Sequence, residues 1–200
     1  MGEVEVAQAD RQSAREEAEA LVRELRERSA EACAELYDRY GLSIYRFAVT
    51  RLGDIQAAED VVVETMVGVV QDIRRFNAGR SSLTAWVYGI ARRRVLLELR
   101  RRKRRKSVPA EAQVSADEIG DVSDDVDVAE GVTSRMVARR KVDALREMLT
   151  AVEFEVLVLS CVEELSAREV GQVIRRSERA VHSILHRARK KARERLVGDE

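Results

Sequence analysis

The 36 Lys/Arg of this sequence balance its 36 Asp/Glu, but the cations are grouped. Between Arg92 and Lys106 ten Lys/Arg stand against one Glu. Only Glu98 offers a partner one helical turn away, and like charges at that spacing repel. The segment therefore reads as a phosphate-binding helix in which each arginine displaces a condensed counterion. Just upstream lie a Ser/Asn/Gly loop, Asn77 to Ser82, and the only tryptophan, Trp86. Loop, indole and arginines together suit unstacked single-stranded bases, with the ring available for stacking and the guanidiniums for phosphates. Core packing is the plain alternative for a lone tryptophan.

A second basic segment, Arg168 to Leu196, holds ten Lys/Arg against three Glu. It opens with a capping box, Ser166-Ala-Arg-Glu169, which starts a short helix through Val170, Val173 and Ile174. Arg175-Arg176-Ser177 forms a tight turn, and Ser177 caps a last helix. That helix carries Val181, Ile184, Leu185, Ala188 and Leu196 inward and Arg179, His182, His186, Arg187, Lys190 and Arg193 outward. A short helix, a tight turn and a longer basic helix make a helix-turn-helix, whose second helix enters the major groove. Its first residues meet base edges and later cations meet phosphates. The bland alternative is two ordinary helices with a solvated charged face.

The elements that must hold these groups are helical. In 200 residues there are one Pro, ten Gly and 36% charged residues, and the core draws on Leu, Val, Ile and Ala more than on its 3 Phe, 4 Tyr and 1 Trp. That composition excludes an all-β sandwich and predicts an all-α fold. Residues 1–28 are a polar extension with Ala18, Leu21, Val22 and Leu25 at helical spacing, either a short helix or a frayed end. Ser29 is placed to cap a helix striped by Leu36, Tyr40, Ile44 and Phe47. Gly53-Asp54 breaks it, and Ala58, Val62, Met66, Val69, Val70 and Ile73 stripe a helix over 55–75. A third begins near Leu83 with Trp86, Val87, Ile90, Ala91, Val95 and Leu99 and dissolves into the basic run. Together they form one small bundle, 29–106.

From Ser107 to Ser134 there are eight Asp/Glu, no Lys/Arg and the only proline, Pro109. This reads as an acidic flexible linker, 107–134. Its charge could repel nucleic acid or cover the basic faces. The second small domain, 135–200, starts with a helix marked by Val137, Val142, Leu145 and Leu149. The capping box Thr150-Ala-Val-Glu153 then precedes Val152, Val156, Leu157, Leu159 and Val162.

Several classes drop out. No apolar run approaches the ~20 residues of a membrane span, and the first residues lack a signal peptide's basic head and apolar stretch. Cys33 and Cys161 are far apart and are expected to be small buried hydrophobes in a cytoplasmic chain. His182 and His186 lie one turn apart but have no third ligand nearby, so no metal is expected. With no glycine-rich phosphate loop or nucleophile motif, no cofactor and no enzymatic activity are expected; Glu163-Glu164 reads as a helix end.

The segment AAEDVVVETMVGVVQDIRRFNAGRSSLTAWVYGIARRRVLLELRRRKR resembles the promoter-melting domain of extracytoplasmic-function sigma factors. LTAVEFEVLVLSCVEELSAREVGQVIRRSERAVHSILHRARKKARERL resembles their helix-turn-helix domain, in the right order and with a linker between. The resemblance implies a factor that binds core RNA polymerase and promoter DNA. Glu59, Asp60, Val63, Glu64 and Met66 would lie on the helix that grips the clamp of the largest subunit. Asn77, Arg80, Ser81 and Ser82 would hold a base flipped from the −10 element, with Trp86 and Tyr88 behind them and Arg92, Arg93, Arg94 and Arg100 on the backbone. Arg176, Ser177, Glu178, Arg179, His182, Ser183, His186, Arg187 and Lys190 would read the −35 element as duplex, the same domain leaning on the flap of the second-largest subunit. The linker would follow the polymerase between them, and an anti-sigma protein is implied as a further partner. The family usually has Gln at the position of Val63, Asn and Asp at those of Arg93 and Leu97, and Gly in the helix-turn-helix turn. With Arg175-Arg176 there, that turn is expected to be adjusted, since a left-handed conformation costs Arg more than Gly. A stand-alone helix-turn-helix regulator is the competing reading; it leaves the tryptophan-bearing helix and arginine run without a role, and such proteins usually dimerise on two half-sites.

Overall fold

The computed structural model describes residues 2–107 and 140–196. Among them every regular element is helical: α1 (Gly2–Arg26), α2 (Ala30–Leu52), α3 (Ile55–Asp72), a 3-10 turn (Ile73–Arg75), α4 (Leu83–Ser107), α5 (residues 140–148), α6 (Ala151–Cys161), α7 (Ala167–Ile174) and α8 (Glu178–Leu196). The expected acidic linker lies, Ser107 apart, outside the described residues, as does Val137.

Local chemistry sets the boundaries of the first unit. Ser29 Oγ accepts from the Ala32 amide at 3.1 Å and starts α2. Gly53 ends it in the left-handed region, φ 68°, where its amide closes on the Val49 carbonyl at 2.8 Å. A side chain would be strained at that φ. Asp54 then caps α3 through the Ala57 amide at 2.9 Å. The extension is a helix, not a frayed end, because Leu21, Val22 and Leu25 are buried where α1 meets α2 and the 3-10 turn. Arg26 adds a hydrogen bond to the Phe76 carbonyl at 3.0 Å.

The core of this unit contains the expected stripe of α2, Leu36, Tyr40, Ile44 and Phe47, all buried. Phe47 meets Tyr88 of α4 edge to face, centroids 5.9 Å apart. On α3 the buried face is Ala58, Val61, Val62, Thr65 and Val69, while Met66 and Val70 are only partly covered. Thr65 is accommodated because its hydroxyl donates to the Val61 carbonyl at 2.6 Å. Helix α4 does not dissolve in the basic run; it continues to Ser107. Its first half has Leu83, Ala85, Val87, Tyr88, Ile90 and Ala91 all buried. These positions span more than half of the helix circumference: α2 and α3 cover part and α7 of the second unit covers another part, while half-buried Trp86 and exposed Arg93 leave one strip open.

In the second unit both capping boxes form, Thr150 with Glu153 and Ser166 with Glu169. Helix α6 is turned relative to the expected stripe. Val152 and Val162 are exposed, while Phe154, Glu155, Val156, Val158 and Leu159 are buried. It lies between α8 on one side and α2 on the other, so two of its faces are covered. Cys161 is also exposed rather than buried, because it is the last residue of α6, and its sulfur accepts from Arg189 at 3.6 Å; Cys33 is half-buried. No helix among the described residues is long and apolar enough to cross a membrane.

Replacing Phe47 by Ala is expected to cost about 3–5 kcal/mol of unfolding free energy, the range for deleting a packed aromatic ring. Val63→Ala on the exposed face of α3 should cost under about 0.5 kcal/mol. Urea titration followed by circular dichroism measures both.

Candidate nucleic-acid interface

Helices α7 and α8 form the second unit's basic face. Ser177 Oγ accepts from the Ala180 amide at 3.3 Å and starts α8. Val181, Leu185 and Ala188 are buried and Ile184 half-buried, which leaves Arg176, Ser177, Glu178, Arg179, His182, Ser183, His186, Arg187 and Lys190 exposed. The expected adjustment of the turn does not occur. Arg175 takes the left-handed conformation, φ 57° and ψ 51°, and its amide closes on the Gly171 carbonyl. The turn keeps its shape because Gly171 lets it: a Cβ there would meet the Arg176 carbonyl oxygen at 2.6 Å. The missing side chain is thus accommodated at Gly171, while Arg175 bears the backbone cost.

Glu153 fixes the far part of α8 from below. Both its oxygens accept from Lys191, at 3.0 and 2.8 Å, and Arg187 lies 3.9 Å away. The Thr150 amide donates to it as well, at 3.0 Å. The Lys191 bond first and the Thr150 bond second push its carboxyl down to about 2.

In the first unit Trp86, Arg93 and Arg94 line one cleft of ≈ 480 Å³ with Asp72 and Arg75. Trp86 is half-buried and leans on Phe76, centroids 5.3 Å apart, so it supports the loop's start while keeping an accessible edge. In the loop Asn77 and Arg80 are exposed, and Asn77 Oδ1 accepts from the Gly79 amide at 2.8 Å. Ser81 is half-buried. Ser82 Oγ caps α4 through the Ala85 amide at 3.1 Å. Arg100 is exposed on the next turns of α4.

The basic run is not one uniform phosphate surface. Arg102 donates to the Leu52 carbonyl at 3.1 Å, to Asp54 at 2.9 Å and to Glu98 at 3.1 Å, closing the end of α2 onto α4. Arg94 reaches Glu64 at 3.3 Å, so the cleft abuts the acidic face of α3. On that face Glu59, Asp60, Val63 and Glu64 are exposed and Met66 half-buried.

Arg92 points elsewhere. It donates to Glu155 of α6 at 3.0 Å, and Arg51 lies 3.7 Å from the same carboxylate. The side chains of Arg51 and Glu155 are 5% and 2% exposed. Burial pushes the Arg51 guanidinium below its usual range, with Glu155 opposing. Beside this cluster the Tyr88 hydroxyl donates to Glu163 at 2.7 Å, and Ser82 donates to Glu169 at 2.9 Å. Burial raises both Tyr88 and Glu163, so the phenol keeps the proton it donates. Arg51, Glu155, Tyr88 and Glu163 form a polar seam between the units that the apolar periodicities did not indicate. The one signal was Glu155, a carboxylate inside the apolar run Phe154 to Leu159.

Comparison with known proteins gives two consecutive matches. Residues 36–105 match Sigma-70 region 2, and residues 131–191 match Sigma-70, region 4. The ECF RNA polymerase sigma factor BldN of Streptomyces coelicolor is 28% identical over 168 residues, 84% of this chain and 61% of BldN. The ECF RNA polymerase sigma factor SigW of Bacillus subtilis is 25% identical over 180 residues, 88% of this chain and 94% of SigW. Among solved structures, CnrH in complex with the cytosolic domain of CnrY superposes with a TM-score of 0.68 at 20% identity, covering 92% of this chain and 99% of that one. The sigma factor RpoE in complex with the anti-sigma factor NepR from Bartonella quintana gives 0.62 at 20% identity, covering 84% and 98%.

Glu153, with a depressed carboxyl, contributes stability that is present above its ordinary value of 4.5 and is lost as pH falls toward 2. Glu153→Gln should lower the melting temperature at neutral pH, and the gap to the parent should close as pH is lowered through that window. Thermal melts of the two proteins at stepped pH check the sign.

Proposed function

The chain belongs to the sigma-70 family, in its extracytoplasmic-function branch, and from that premise we propose that it binds core RNA polymerase and directs initiation at a specific set of promoters. The observation that carries this reading is the presence in one chain of a basic helix-turn-helix and a tryptophan-bearing, arginine-lined cleft. One surface suits duplex and the other suits an unstacked base, which are the two DNA states of a promoter as it opens.

The family resemblance supports a role for each group of residues, and their exposure is compatible with it. The exposed residues from Arg176 to Lys190 dock on the −35 element, with Arg179 and His182 at base edges and Arg187 and Lys190 toward phosphates. Loop residues Asn77 to Ser82 capture a −10 base while Trp86, Arg93, Arg94 and Arg100 hold strand and backbone. Arg92 joins them once Glu155 releases it. On α3, Glu59, Asp60 and Glu64 surround exposed Val63, a charged rim about an apolar centre suited to the polymerase clamp. The second unit leans on the flap. Binding energy alone does this work, with no covalent step and no cofactor, in the cytoplasm where polymerase acts. RpoE of Bartonella quintana was solved with an anti-sigma factor, and a protein of that kind is the expected inhibitor here.

Transcription with core polymerase on fragmented genomic DNA, with mapped starts, tests the reading. Discrete starts should appear only when both components are present. Specific duplex binding without any polymerase-dependent start would instead favour the stand-alone regulator. On a start so found, Arg179→Ala should weaken or relax recognition of one upstream position by about 1–3 kcal/mol if it contacts a base through two hydrogen bonds; an unchanged promoter profile removes that role. Trp86→Ala should impair promoter opening more than polymerase binding. Equal loss of both, tracking loss of fold, would place the indole in the core alone.

A further inference from the structure

The face of α8 that meets DNA on the proposed function carries one charge of the wrong sign. From Arg176 to Lys190 the single carboxylate is Glu178, set among Arg176, Arg179, Arg187, Arg189 and Lys190. It is exposed and is the first residue of α8, the part of a helix-turn-helix that meets base edges. His182, one turn on, shares its face, with Nε2 3.9 Å from Glu178 Oε1. Among the described residues neither Arg176 nor Arg179 forms an ion pair with it.

The helix does not need this acid for its own start. In α6 and α7 the acid stands at the third position, as Glu153 and Glu169, and reaches back to accept from the cap amide. In α8 the third position is Ala180, whose amide is held by Ser177 Oγ, and Glu178 accepts no backbone hydrogen bond among the described residues. What remains is a salt-screened attraction to the helix dipole, which any acid in the first turn would have. Set against DNA, the same carboxylate loses water and faces the phosphates, which costs affinity unless a base supplies a donor.

In the major groove cytosine offers its N4 amino group with no acceptor on its own edge. Thymine offers O4 and guanine O6 and N7, so a carboxylate there meets lone pairs, and the N6 donor of adenine stands beside its N7 acceptor. Resting on the sigma-factor reading, we propose that Glu178 is a specificity residue that selects cytosine at one position of the upstream duplex element. It accepts from cytosine N4 and rejects thymine and guanine by repulsion. Arg179 and the later cations supply attraction while Glu178 supplies exclusion, and discrimination between sites uses both.

Duplex fragments of the genome, selected in two ways, test this: by retention on the free full chain, and by transcription with the full chain and core RNA polymerase. Base frequencies at each position of the upstream element are compared between parent and variants. At one position the parent should favour cytosine over thymine and guanine at least about fivefold. Glu178→Ala should flatten that position and leave the others. Glu178→Gln should move its preference to adenine, whose N6 and N7 suit an amide, and it decides the matter should Glu178→Ala fail to fold. An unchanged profile in the folded variants, equal flattening at every position, or a parent preference for guanine or thymine at the responding position overturns the proposal. Cytosine selected by retention alone and lost in Glu178→Ala, with no polymerase-dependent start in the pool, would leave the role of Glu178 standing and refute the sigma reading.

Discussion

Everything else in the molecule depends on how α4 is covered. Its first half is apolar over more than half of its circumference and its second half is a run of arginine and lysine, so the one helix must be both enclosed and solvated. Packing on α2 and α3 covers one side of Val87, Ile90, Ala91 and Val95 and sets the cleft beside Trp86. Gly68 allows that approach: a Cβ there would meet Ile90 Cγ2 at 3.2 Å. The remaining side, with Tyr88, faces the second unit. The first half of α4 is therefore packed by both units.

The charges follow from that enclosure. Enclosing α4 from Leu83 onward takes Arg92 with it, and a buried guanidinium requires a carboxylate. Glu155 supplies it, and Arg51 shares it. Beyond the enclosed half, Arg94 and Arg102 are tied to α3 and to the end of α2, which fixes the direction in which α4 leaves the bundle. The cations from Arg92 to Lys106 thus divide between holding the helix in place and facing solvent beside the cleft. In the second unit the same division separates Lys191, drawn down by Glu153, from exposed Arg179 and His182.

Much of this was legible in the sequence because caps and stripes are local. Ser29, Asp54, Thr150, Ser166 and Ser177 each sit where an orphan amide needs an oxygen, and each accepts one. The inward positions of α2 and α8 follow from spacing alone. The rotation of α6 was not legible, since two covered faces displace a single stripe and put Glu155 inside and Val152 outside. Nor was the path of Arg92, because its partner stands 63 residues away and nothing in a periodicity links the two. The turn at Arg175 escapes a local reading for a related reason: the space it needs is provided by Gly171, four residues earlier, rather than by the turn itself.

On the proposed function, two surfaces of the chain read two DNA states under polymerase. Photocross-linking from 4-thiothymidine placed singly along a mapped promoter, followed by peptide mapping, reports this directly. Probes in the upstream duplex element should label residues 176–190 and probes on the melted strand should label 77–100, the second set only when core polymerase is present. Labelling confined to 176–190, or identical with and without polymerase, would contradict it.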